Sequence, residues 1–150
     1  MSEKNWCFEV PGKLEIPYKY YAGEWGSKFL TALRDNMKIM GSKCPACNKV
    51  FIPPRSSCEQ CFGKISEWVE IGPKGKVTSF CVVNYKEPYL PVEPPFVLAL
   101  IRLEGADSDL THIISEVSPE NVRIGMTVAP VFAEQRKASI LDIKYFKPAG

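Results

Sequence analysis

The pattern of apolar and polar positions divides the chain near residue 72. Ahead of that point, Ala22, Trp25, Phe29, Leu30 and Leu33 recur at three- and four-residue intervals, the spacing of one helix face. Gly23 and Gly26 weaken the start, and Asp35-Asn36 supply a stop, which predicts a helix over about 23–34. A short strand is expected over 38–42. Val50-Phe51-Ile52 forms the next apolar run, and Pro53-Pro54-Arg55 bends the chain after it. Beyond Gly72-Pro73-Lys74-Gly75 the texture changes to five apolar or β-branched segments, 76–85, 96–103, 109–117, 127–132 and 139–146, each bounded by turn residues. No long helical pattern separates one from the next. Five such strands fit a small Greek-key barrel of the OB type. One helical turn is expected over 122–125.

Two stretches fit neither pattern. Residues 1–20 mix Val10, Leu14, Ile16, Tyr18 and Tyr20 with Pro11, Gly12 and Pro17. This is an apolar, aromatic, extended arm with little of its own to pack on. It either folds back on the chain's own core or lies on a partner subunit, with Tyr18 and Tyr20 as candidate contacts. The second stretch, 86–95, reads KEPYLPVEPP. Its prolines make a rigid loop whose Tyr89 and Leu90 suit an interface or a pocket wall. The plainer reading is a well-packed loop.

The cysteines supply the strongest chemical signal. Four of the six form two knuckles, Cys44-Pro45-Ala46-Cys47 and Cys58-Glu59-Gln60-Cys61. Each C-x-x-C turn aims two sulfurs at one point, and two facing turns make a tetrahedral thiolate cage. The intervening segment is shorter than the usual guide spacing but long enough for a hairpin. Zinc is the expected ion. An iron centre uses the same four thiolates, and the sequence does not choose between them. Two disulfides would need an oxidising compartment. The N-terminus has no basic stretch followed by an apolar one, so nothing indicates export and a reducing cytoplasm is expected. Cys7 and Cys81 fall outside the set, and Cys81, within an apolar run, reads as a buried strand residue.

Length suits one domain or two small ones sharing an interface. The expected organisation is mainly β: 1–36 arm and helix, 37–67 zinc ribbon, 68–150 five-stranded OB-fold barrel. No apolar run approaches the ~20 residues of a membrane span, so no membrane partner is expected. A net charge of +2 is far from that of a basic nucleic-acid binder. Ribbons and OB barrels do serve RNA and single-stranded DNA, which keeps a nucleic-acid-binding protein as the alternative function. Against it, acidic residues such as Glu93, Glu104, Asp107 and Asp109 interrupt any basic stripe on the barrel.

Catalytic groups are scarce. The single histidine, His112, sits in a strand pattern and reads as a satisfied strand residue. A closed four-cysteine site leaves the metal no open position for substrate. No catalytic residues are therefore assigned. Arg102, in an apolar strand, is expected to pair with a neighbouring carboxylate or lie on the outer face. Arg55 is either a solvated loop cation or a contact to a phosphate or carboxylate, which a guanidinium matches bidentately.

The order of these pieces carries a family resemblance. Cys44-Pro45-Ala46-Cys47, Phe51-Ile52-Pro53-Pro54-Arg55, Cys58 and Cys61 are followed by Gly75-Lys76-Val77-Thr78-Ser79-Phe80, by the run from Pro95 to Gly105, and by Ile124-Gly125-Met126-Thr127-Val128. From about residue 20 onward the chain resembles the small rubredoxin-like zinc-ribbon/OB-fold proteins that accompany thiolases and related acyl-CoA enzymes. The resemblance implies a non-catalytic subunit that docks on a thiolase-fold partner and helps enclose the coenzyme A arm, the partner supplying nucleophile and base. The long arm departs from a minimal member, and no family role extends to it.

Overall fold

The computed structural model describes residues 9–14 and 16–150, so Cys7 and the start of the arm lie outside the described residues. The helix α1 spans Gly23–Asn36 and turns Phe29 and Leu33 into the core. It runs two residues past the predicted end. Asp35 and Asn36 remain helical, and Met37 ends the helix by entering the left-handed region at φ 54°. The N–H of Lys38 then donates to the Ala32 carbonyl at 3.3 Å. The Arg34 carbonyl, otherwise orphaned at the helix end, accepts from Arg136 Nε at 2.7 Å.

Three short antiparallel strands follow, β1 (Met40–Lys43), β2 (Val50–Phe51) and β3 (Glu67–Glu70), in the order β2-β1-β3. β1 starts later than predicted. Ile39 is buried ahead of it, and its carbonyl accepts the Ile71 N–H at 2.8 Å. β3 has no counterpart among the predicted strands. Gly41 lies under Ile71, where a Cβ would stand 2.8 Å from the isoleucine Cδ1.

The remaining strands are β4 (Gly75–Val83), β5 (Phe96–Leu103), β6 (Leu110–Ile114), β7 (Thr127–Phe132) and β8 (Ile143–Pro148). They close into a barrel in the order β4-β5-β6-β8-β7. Four fall on the segments the sequence pattern marks, while the fifth expected strand, 139–146, opens as a 3-10 turn at Ile140–Asp142 and becomes β8 only from Ile143. β6 meets β8 in parallel at Ile114 and Phe146. The closing seam pairs Gly75 with Val128 and Lys76 with Thr127. Gly75 also pairs with Leu103 on the other side. A Cβ there would come within 2.7 Å of the Arg102 carbonyl, so the seam requires glycine.

Two sequence expectations fail locally. A register shift between Val77 and Ser79 inverts the alternation along β4. Val77 points inward, but Cys81 emerges exposed on the outer wall, not buried. The helical turn expected over 122–125 is displaced to a 3-10 turn at Pro119–Asn121, because Val122 is extended and fully buried.

The β4–β5 connection, residues 84–95, straps the outside of the barrel. Leu90 and Val92 pack against Val83, Phe96 and Ile113, with Leu98 and Tyr145 beside them. Leu90 is therefore half-buried, while Tyr89 stays exposed.

One continuous core joins the parts. It contains Phe29 and Leu33 of α1, Ile39, Ile52 and Ile71 from the ribbon's frame, and Val77, Ile101, Val128 and Phe146 of the barrel. A polar clasp adds direction. Asp107 accepts from the Val50 N–H at 2.9 Å and from Lys49 Nζ at 2.8 Å. Its own N–H donates back to the Val50 carbonyl at 2.8 Å. Ser108 Oγ accepts from the Ile52 N–H at 2.7 Å and donates to the Ile52 carbonyl at 2.9 Å. The β5–β6 turn thus extends the β2 edge.

Leu33 sits where helix, ribbon and barrel meet, with no exposed surface. Leu33→Ala is expected to lower unfolding stability by about 2–5 kcal/mol. Denaturation followed by tryptophan emission and by far-ultraviolet dichroism should still give one coincident midpoint, because the core is shared. Separated midpoints would show that the ribbon and barrel unfold independently.

Candidate metal centre

Each knuckle is built the same way. The Cys44 N–H donates to the Lys49 carbonyl at 2.8 Å, and the Asn48 N–H to the Cys44 carbonyl at 2.9 Å. In the second knuckle the Cys58 N–H donates to the Gly63 carbonyl at 2.9 Å, and the Phe62 N–H to the Cys58 carbonyl at 3.0 Å. Asn48 and Phe62, each directly after the second cysteine of its pair, are left-handed at φ 60° and 59°. This conformation folds the chain tightly enough to bring both sulfurs of a pair to one side.

The two turns face each other. Cys44 and Cys61 have their Sγ atoms 3.5 Å apart, as do Cys47 and Cys58, and all four sulfurs lie within 4.8 Å of one another. Four sulfurs bound tetrahedrally to one ion at ~2.3 Å would stand ~3.8 Å apart, so the arrangement fits such an ion. Charge makes the same case. Backbone N–H groups point at the first sulfur of each pair. Those of Cys47 and Ala46 lower the Cys44 thiol, and those of Cys61 and Gln60 bring Cys58 down to about 7. The partner sulfurs behave oppositely. The Lys49 N–H pulls Cys47 down, but burial and the neighbouring sulfurs outweigh it and push the thiol up to about 12. Cys61 is likewise raised, the Cys44 and Cys58 sulfurs overcoming the Gly63 N–H. The surroundings thus ease ionisation of the first sulfur of each knuckle and not of the second. Four thiolates together need a cation.

The sulfurs are backed by a small apolar cluster of Cys44, Phe51, Cys58 and Ile65, with Trp25 packed against it. Trp25 stacks on Trp68 of β3 with ring centroids 4.4 Å apart and planes 16° from parallel. Lys28 Nζ lies 4.4 Å above the Trp68 ring. Trp68 and the Asp107–Ser108 clasp escaped the sequence reading. The one available signal was an aromatic residue in a short charged segment.

The other candidate residues lie apart from the sulfurs' inner shell. Arg55 is engaged: its Nη1 pairs with Glu59, its guanidinium carbon lies 5.0 Å from the Phe51 ring centroid, and its backbone N–H donates to Ser42 Oγ at 3.0 Å. Arg102 pairs with Asp109, Nε to Oδ1 at 2.5 Å, the carboxylate pairing the sequence suggested. Tyr18, Tyr20 and Tyr89 are exposed. His112 is buried on the inner wall of the barrel, edge-on to Phe146. Its Nδ1 accepts the Ile113 N–H at 2.9 Å, and its Nε2 stands 3.3 Å from the Ile140 carbonyl, which suits the neutral tautomer protonated at Nε2. Burial holds the imidazole below its usual value of 6.5.

Residues 33–67 match the family described as ChsH2, rubredoxin-like zinc ribbon domain, and residues 68–133 match ChsH2, C-terminal OB-fold domain. A DUF35 domain-containing scaffold protein of Methanocaldococcus jannaschii is 33% identical over 101 residues, covering 67% of this chain and 71% of that protein. The chain belongs to the DUF35 family. A second DUF35 scaffold protein, from Methanothermobacter thermautotrophicus, is 33% identical over 101 residues, or 66% of this chain and 74% of that one. Among solved structures, a DUF35 protein of unknown function from Sulfolobus solfataricus superposes with a TM-score of 0.64 at 29% identity, covering 85% of this chain and 87% of that one. A structure described as the Ltp2-ChsH2(DUF35) aldolase shares the fold, with a TM-score of 0.67 at 23% identity over 88% of this chain and all of that one. The ribbon carries a four-cysteine set, Cys44, Cys47, Cys58 and Cys61, arranged for a metal, and a bound cation would serve there to neutralise and hold four thiolates. No helix among the described residues is long and apolar enough to cross a membrane.

Two outcomes follow. Cys44→Ser or Cys58→Ser should abolish stoichiometric metal binding, measured by elemental analysis, and shift the Trp25/Trp68 emission toward that of exposed indole. Full metal content in either variant would mean that the sulfurs do not act as one set. For His112, the unfolded chain takes up a proton near pH 6.5 and the folded chain does so only at lower pH. Its contribution to stability is therefore complete above pH 6.5 and is lost as pH falls through the lowered value. Melting temperatures at pH 7.5 and 5.5, with zinc in excess, should fall more for the wild type than for His112→Gln.

Proposed function

We propose that this DUF35 protein is the non-catalytic, zinc-binding subunit of an acyl-CoA thiolase-type complex. It docks on a thiolase-fold enzyme subunit and helps enclose the coenzyme A chain. The observation that carries this reading is membership of a family whose relatives are described as scaffold proteins. Both matched domains bear the name ChsH2, and that name appears beside Ltp2 in the description of an aldolase. The geometry is compatible with such a role. The metal cage is closed and structural in type, and a band of apolar and aromatic side chains on the arm stands free of the folded body. The narrower proposal, within this class, is the small subunit of a benzoylsuccinyl-CoA thiolase of anaerobic toluene breakdown, with an aromatic acyl-CoA as the substrate of the complex.

Arg55 is the proposed contact to the coenzyme A arm. It stands just after the Pro53-Pro54 pair, and an incoming phosphate would replace Glu59 as its anionic partner. Tyr18, Tyr20, Tyr89 and Leu90 are proposed for the subunit interface. The half-buried Leu90 shapes the strap from beneath, and Tyr89 makes the contact.

The test is co-purification from the native source. An acyl-CoA enzyme subunit should elute with the chain, and thiolytic turnover should need both. Arg55→Ala should leave that assembly and its metal content intact but raise the KM for acyl-CoA about tenfold, the scale of one lost charge-assisted contact. A chain that purifies alone, with the enzyme's kinetics unchanged on mixing, would reject the reading.

A further inference from the structure

Between Val10 and Tyr20 the apolar side chains fall on alternate residues. Val10, Leu14, Ile16, Tyr18 and Tyr20 occupy even positions, with Gly12 in the one gap. Pro11, Lys13, Pro17 and Lys19 stand between them. This is the two-residue period of an extended strand with one apolar face. The described arm residues belong to neither sheet. All five apolar side chains are open to solvent, from 65% exposed at Ile16 to 84% at Leu14. The Tyr18 and Tyr20 rings lie 6.0 Å apart, on the same side of the chain. The arm therefore offers a strand's apolar face with no cover from the described residues.

The prolines select an edge. In an extended strand each residue's N–H and C=O point toward the same edge, and successive residues toward opposite edges. Pro11 and Pro17 both fall on the odd edge, and proline has no N–H to give. The even edge keeps every donor from Val10 to Tyr20. A strand so made pairs on one side and resists pairing on the other.

We propose that the arm docks as a one-sided edge strand on an open sheet edge of the enzyme subunit. Its even-numbered side chains lie on an apolar floor of that subunit, and the edge carrying Pro11 and Pro17 faces away. Backbone bonds along the even edge give affinity, and the alternate side chains give specificity. A second copy of this chain fits less well. Two arms paired through their even edges would make a bare two-stranded ribbon, marginal in water, with its apolar face still uncovered. The proposal rests on the accessory-subunit reading and specifies how the two subunits join.

The experiment is a proline comparison in the full-length chain, bound to the acyl-CoA enzyme subunit that co-purifies with it. Leu14→Pro deletes a donor on the even edge, Lys19→Pro deletes one on the odd edge, and Leu14→Ala controls for the lost side chain. The positions are exposed, so metal content and far-ultraviolet dichroism should be unchanged in all three. Leu14→Pro is expected to weaken assembly about tenfold or more, and beyond Leu14→Ala, while Lys19→Pro stays within about threefold of wild type. Equal losses for the two proline variants, or none in either, would overturn the edge-strand geometry while leaving the accessory-subunit reading intact. Arm-dependent dimers of the chain alone in sedimentation would assign the arm to a second copy and overturn the proposal. Recovery of no acyl-CoA enzyme subunit would sink both.

Discussion

Four sulfurs held within 4.8 Å of one another are the constraint on which the ribbon depends. Four thiolates cannot share so small a volume unless a cation sits between them. The apolar cluster behind them, chiefly Phe51 and Ile65, is too small to do so by hydrophobic burial. Once the turns are joined, the rest of the ribbon is determined. β1 and β2 run into and out of the first knuckle, β3 returns alongside β1, and the Trp25–Trp68 stack is brought over the cluster.

The ribbon is not a pendant module. Ile39, Ile52 and Ile71 leave it to enter the same core as the barrel. The Asp107–Ser108 clasp fixes the sliding position of β2 against the β5–β6 turn. At the opposite end, buried Asp142 accepts N–H groups of Lys137, Ala138 and Ser139. That organises the β7–β8 connection so that Arg136 reaches the end of α1. Apolar packing holds the parts together, and these directional bonds set their orientation.

Much of this was legible in the sequence, and the failures share a cause. The barrel strands announce themselves by alternation and by the glycines and prolines between them. The knuckles announce themselves by cysteine spacing. β3 did not, because Glu67 and Glu70 flank only two half-buried residues and its partner Met40 lies 30 positions back. Cys81 was placed on the wrong face because one irregular position, Thr78, reverses every side chain after it. The helix end was misplaced because a left-handed methionine leaves no sequence mark. At the metal centre the ligand set was readable. The clasp was not, since Asp107 and Ser108 bond a backbone more than 50 positions away. Local patterns report local periodicity, and long-range side-chain-to-backbone bonds have none.

The strap over residues 84–95 bears on what the barrel can become. OB barrels that grip oligonucleotides use the outer wall of their second and third strands and the connection leading into them. Here those strands are β5 and β6, and that connection is the strap, whose Leu90 and Val92 already occupy the wall at Ile113 and Leu98. A nucleobase seeking a stacking platform would meet the protein's own side chains and would have to peel them away first. The strap covers part of that wall with the protein's own apolar side chains. Recruiting this scaffold to single-stranded nucleic acid would therefore begin with shortening the strap, ahead of any added positive charge.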